Sequence, residues 1–170
     1  MGHFAEELDD RVLISTHVLS GALLGRALGR PAPALLTGIA SHLVLDRLPH
    51  WGLGEGWPPP DMDDASYAIA VRDGLCGLAL IAAALRVTAA EHRPQVLAGI
   101  VGACLPDLDK PGRRFLGRSP WPEWFDRFHV CLQVGVESPH LLRQDVLVSA
   151  AGAVVALAVL SRRSSAYLCA

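Results

Sequence analysis

Five stretches free of Asp, Glu, Lys and Arg dominate the chain: Val12–Gly25, Pro31–Leu45, Gly74–Leu85, Pro94–Pro106 and Val146–Ser161. They are rich in Ala and Leu, lack sustained alternation of period two, and are parted by Pro and Gly, a pattern of helices separated by turns. Each is shorter than the ~18 to 20 residues that a confident spanning helix needs, although tilt or local bilayer thinning lets shorter segments cross. The chain is 51% hydrophobic and only 19% charged, with mean hydropathy +0.32. That balance lies between a soluble bundle and a membrane protein. The expectation is an all-α fold, a compact bundle of five to six helices associated with a membrane.

With 170 residues, one helical domain spanning 1–170 is expected. The first helix runs from Asp10 to Leu28, ended by Gly29 and Pro31, and the second from Pro33 to Leu48, where Pro49 discourages continuation. A loop from Trp51 to Asp64 follows, containing Pro58-Pro59-Pro60. Asp63 or Asp64 caps a third helix reaching Ala90, and Arg93–Leu105 makes a fourth. Residues 110–120 form an Arg-rich connector to a short aromatic helix, Pro122–Val134. Ser138-Pro139 then opens a last helix, His140–Ser161.

Composition removes several classes of function. A net charge of -2, with Lys110 the sole lysine, supplies no field for nucleic acid. Cys76, Cys104, Cys131 and Cys169 form no CxxC pair, so neither a zinc ribbon nor a disulfide framework is indicated. Glu6, Glu7, Asp9 and Asp10 near the start argue against a cleavable signal. Basic residues follow successive apolar segments without alternating sides, which leaves topology open. The expected location is membrane-associated, at the inner or cytoplasmic membrane if the chain is bacterial.

Against this apolar background several ionisable residues are out of place, because burying them costs several kcal/mol unless they are paired or bind a metal. His42 and Asp46 lie four residues apart on one helix face, where imidazole and carboxylate can share a divalent ion or simply bond each other. Asp73 falls on the apolar stripe of the third helix, as a ligand or as the partner of an arginine. His17 sits inside the first helix, as a ligand or a satisfied core residue. Pro106 ends the fourth helix and sets Asp107 and Asp109 on a turn able to aim two oxygens at one cation, or to act as a cap. His50 and His129 are candidates for ligation or proton transfer and are assigned the catalytic positions. His140 reads as a helix-start residue.

Together these positions resemble a family of small helical proteins described as membrane-bound metal-dependent hydrolases, distantly suggestive of zinc-dependent phospholipase C. The resemblance runs from Thr16-His17 through His42-xxx-Asp46-xx-Pro49-His50-Trp51 and Asp73 to Leu105-Pro106-Asp107 and Phe128-His129. It implies metal ligation by His17, His42, Asp46, Asp73 and Asp107, which must then converge from different helices. The chain departs from the family pattern after His129, where Val130-Cys131 stands in place of further histidines.

A ligand set of His and Asp without Cys suits Zn first, with Mn or Fe as alternatives, and more than four ligands permit two ions. A divalent ion makes hydroxide available near neutral pH, so the expected reaction is hydrolysis of a phosphoester or another ester, including a lipid-linked one. Arg113 and Arg114, in the loop that begins next to Asp109, are positioned to hold a phosphate or a lipid headgroup. Trp51, Trp57, Trp121 and Trp124 lie beside turns, as indoles do at membrane interfaces. The expected partners are membrane lipid and a small-molecule or lipid substrate, with a homo-oligomer open. The competing reading is a non-catalytic membrane or assembly protein whose buried His and Asp are structural, with Gly152-xxx-Ala156 serving helix packing. A transporter with intramembrane carboxylates would have to oligomerise at this length.

Overall fold

A computed structural model describes residues 13–48, 64–132 and 139–162, and every regular element among them is helical. In chain order α1 is Ile14–Leu28, α2 Pro31–Leu45, α3 Asp64–Val87, α4 Arg93–Cys104, α5 Asp109–Leu116, α6 Glu123–Leu132 and α7 Pro139–Leu160. Short 3-10 turns, Ala90–His92 and Pro106–Leu108, lead into α4 and α5. The all-α expectation holds, but the described helices outnumber the expected five to six. The addition is α5, which occupies most of the segment read as a connector. Pro111 lies in its first turn, where a missing N–H costs nothing, and Gly117 at φ 68 closes its other end in the left-handed conformation. The loop expected after α2, with His50, Trp51 and Trp57, lies outside the described residues.

Helix α4 is the axis of the bundle, packed against both α1 and α2, which also pack against each other. Glycines permit this approach. A Cβ at Gly99 would run into the Gly21 carbonyl of α1, and one at Gly102 into the Leu35 carbonyl of α2. Backbone therefore meets backbone along both seams, and the C-terminal end of α4 is drawn between the two helices that carry His17 and His42. Val18, Ala22, Ala84, Val96, Ile100 and Leu160 make the buried apolar core beside them. Helix α7 packs on α1 and α3. Its Gly152 faces Leu19, with 3.4 Å from a would-be Cβ to the Leu19 Cδ1, and Ala156 is fully buried. The Gly152-xxx-Ala156 stripe thus serves packing within the chain.

The outward surface is unusually apolar. Leu75 and Leu78 on α3, Phe115 and Leu116 on α5, Trp124 on α6, and Leu147 and Val154 on α7 are all exposed. The segment Arg143–Leu160 is long and apolar enough to cross a membrane by length and composition, and only 17% of it is buried inside the bundle. The charge-free run there is shorter, because Arg143 and Asp145 open the segment.

Candidate metal centre

Five segments deliver ionisable side chains to one buried point. His17 lies in the first half of α1; His42 and Asp46 lie one turn apart at the C-terminal end of α2. Asp107 follows Pro106 in the 3-10 turn after α4, Asp109 begins α5, and His129 sits in the last turn of α6. His17, His42 and Asp46 are 0% exposed, His129 2%, and Asp107 and Asp109 7% each. The rings of His17 and His42 stack with centroids 4.0 Å apart.

The donor atoms lie within about half an ångström of the spacing that one ion's ligands take. Zinc bonds of ~2.0 to 2.1 Å to N and O in a tetrahedron set the ligand atoms about 3.3 to 3.4 Å from one another. His42 Nε2 lies 3.0 Å from His129 Nε2 and 3.1 Å from Asp46 Oδ2, and His129 Nε2 lies 2.9 Å from Asp46 Oδ2. Asp107 Oδ1 lies 3.5 Å from His42 Nε2 and 3.7 Å from His129 Nε2. His17 Nε2 approaches the other oxygen of the same carboxylate, 3.4 Å from Asp46 Oδ1.

Hydrogen bonding around the centre points the same way. His42 Nδ1 donates to the Ala103 carbonyl at 2.6 Å, which turns Nε2 toward the carboxylate oxygens of Asp46 and Asp107. Burial opposes a charge on His42, but Asp46 and Asp107 outweigh it and hold the imidazole above its usual range, so this position attracts a proton or a metal cation; an Nδ1–H bonded to a carbonyl is the usual support of a ligating histidine. Both ring nitrogens of His17, together with Asp46 Oδ1 and Asp109 Oδ1, are buried without a hydrogen-bond partner. Orphaned buried polar atoms of this kind cost about 1 to 3 kcal/mol each. A divalent ion would relieve that cost, and these all-N/O donors fit one.

Burial and charge set the protonation states. Burial holds the His17 imidazole below its usual range against the raising pull of Asp46, so it is neutral. Burial opposes the charge of Asp46, but the imidazoles of His129, His17 and His42 around it outweigh it and keep the carboxylate ionised. Asp107 is likewise held below the usual carboxylate range, burial being overcome chiefly by the Lys110 ammonium and then by His42. Burial pushes Asp109 up in spite of Lys110.

Of the residues singled out in the sequence, His17, His42, Asp46 and Asp107 come together, and Asp109 joins them at the edge, within ligand distance of Asp107 and His129. His129, a candidate for ligation or proton transfer, stands among the donor atoms, beside His42 and Asp46. Asp73 needs correction. Its carboxylate receives the backbone N–H groups of Ile14 and Ser15 and the Ser15 hydroxyl, the last at 2.9 Å. It caps the first turn of α1, whose own N-cap residue Leu13 offers no side-chain bond. No ligand-distance group among the described residues includes it. Arg113 also differs from expectation, since its guanidinium pairs with Asp126 and reaches Asp109 at 3.8 Å. Ser119 bonds the other Asp126 oxygen at 2.8 Å, so Arg113 ties α5 to α6 and helps seat His129. Arg114 is exposed beside Phe115, its guanidinium carbon 6.0 Å from the ring centroid. His50 lies outside the described residues.

Two residues named in the sequence for other reasons also contribute to the centre. Lys110 donates from Nζ to Asp107 Oδ1 at 2.6 Å, and its spacing of three residues from Asp107 was the available signal. Trp121 donates from Nε1 to the Pro106 carbonyl at 3.1 Å, clasping the Asp107 turn. No local pattern marks that contact.

Compared with known protein families, with curated protein sequences and with solved structures, the chain matches none.

Proposed function

We propose that the chain is a membrane-associated, metal-dependent hydrolase that cleaves a phosphoester or another ester, with lipid-linked compounds as the substrate class. The observation carrying this reading is the set of three histidines and two aspartates, buried together with donor atoms at one-ion spacing. The resemblance in the His42-to-Trp51 string supplies the reaction class, and the exposed apolar faces of α3 and α7 support the lipid surroundings.

A divalent ion, Zn first and Mn or Fe as alternatives, would supply Lewis acidity and a water acidic enough to ionise near neutral pH. His42, Asp46, Asp107 and His129 would hold it, with His17 against the second Asp46 oxygen. The Ala103 carbonyl fixes the His42 tautomer. Asp109 Oδ1, buried and without a hydrogen-bond partner, would serve as the proton acceptor at the centre. Lys110 brings a positive charge to the same edge, suited to an anionic substrate oxygen.

The test is metal analysis of protein purified in detergent, followed by assay against phosphodiester and lipid-ester substrates with Zn, Mn or Fe supplied. Stoichiometric metal and metal-dependent hydrolysis are expected. Protein free of metal after reconstitution would remove the centre, and metal without hydrolysis would leave a structural site in a helical scaffold.

A further inference from the structure

The centre has enough donors for two ions. Its six buried His and Asp side chains fall into three overlapping sets, His17 with His42 and Asp107, His42 with Asp46 and His129, and Asp107 with Asp109 and His129, each within ligand distance. The last set, extending through Asp109 to the start of α5, is where a second ion would have to sit. Lys110 is already at that edge. Its ammonium lies 2.6 Å from Asp107 Oδ1, closer than any histidine nitrogen approaches that oxygen.

We propose that Lys110 is the resident second cation of this centre, so that the wild-type site holds one divalent ion and excludes another. This inference rests on the metal-centre reading above. A second ion in the Asp107, Asp109 and His129 set would face both the first ion and the ammonium, in surroundings where like charges are poorly screened. Charge balance agrees. Asp46, Asp107 and Asp109 contribute three negative charges, which one divalent ion and the Lys110 ammonium neutralise. Two divalent ions beside the ammonium would instead leave two positive charges in a buried pocket, an outcome its burial disfavours. The Lys110 side chain is 25% exposed, so a neutral replacement there does not cut into the fully buried core.

The experiment is equilibrium loading of full-length protein in detergent with Zn or Mn, and counting of bound ions by mass spectrometry of the eluted metal. Wild type and Lys110→Arg should each hold one ion per chain. Lys110→Met and Lys110→Gln should hold two, with folding of each variant checked by circular dichroism. Two ions in wild type, or one in all four proteins, overturns the role of Lys110 while leaving the metal centre standing. No ion in any of them overturns the centre itself. If Lys110→Met misfolds, Lys110→Gln decides the outcome.

Discussion

Asp46 and Asp73 are both buried aspartates in helical surroundings, and the structure gives them opposite duties. Asp46 faces three imidazoles, whereas Asp73 binds the first N–H groups of α1. Asp46→Ala should therefore reduce bound metal to background, measured after reconstitution. Asp73→Ala should keep its metal and lose about 0.5 to 2 kcal/mol of stability, the usual cost of a lost helix cap. Burial raises the Asp73 carboxyl in the folded state, in spite of the bonds from Ile14 and Ser15. Its contribution is thus greatest at low pH and is lost as pH climbs through the raised value, because ionisation is easier in the unfolded chain. Wild type should lose stability relative to Asp73→Asn as pH rises from the ordinary carboxylate range, and parallel curves in chemical denaturation would refute this. Burial, with the charges of Asp107 and Asp73, pushes the Cys104 thiol up to about 12. Iodoacetamide at pH 8 should leave Cys104 intact in the folded protein while modifying the exposed Cys76 and Cys131, and peptide mapping checks it.

Helix α4 decides where these residues meet, through glycines whose role is spatial. Gly99→Ala or Gly102→Ala would press a methyl group on the Gly21 or Leu35 carbonyl, backbone that yields only if α1 or α2 moves. Each should cost about 1 to 3 kcal/mol as overpacking, and each should weaken metal binding because Ala103, which orients His42, shifts with α4. Gly74→Ala is the control, since nothing lies within 4 Å of its added Cβ; it should stabilise α3 by about 0.5 to 1 kcal/mol. Thermal unfolding in detergent separates the two classes. The helices themselves were legible in the sequence because period and Pro/Gly punctuation are local signals, and the His42–Asp46 pairing was legible for the same reason. Which helix faces meet is not local. Periodicity placed Asp73 on an inward stripe but could not say that α1's first turn lies opposite, and it left His129 without its partners on α2. The α5 segment was misread as a connector because its Arg, Lys and Gly content resembles loop composition, while its helical stop at Gly117 follows a proline tolerated in the first turn.

At the scale of the molecule the outer surface sets the problem. Soluble monomers seldom expose large contiguous apolar patches, yet Val146, Leu147, Val148, Val154 and Val155 are exposed on α7, and Val71, Leu75 and Leu78 on its neighbour α3. These side chains contribute nothing to the buried core, so their removal should spare the fold and report on what covers them. Full-length protein should float with liposomes and resist carbonate extraction. Leu147→Asp together with Val154→Asp places two carboxylates on the exposed face of the one described segment able to cross a membrane. Each carries an insertion cost of about 2.5 to 3.5 kcal/mol at the bilayer centre, enough to shift the protein substantially into the soluble fraction. Metal binding should persist in the released variant, because the ligands lie on α1, α2, α6 and the turn after α4. A wild-type protein that is monodisperse and monomeric without detergent, and that ignores liposomes, would remove lipid from the proposal and leave the metal centre to be judged alone.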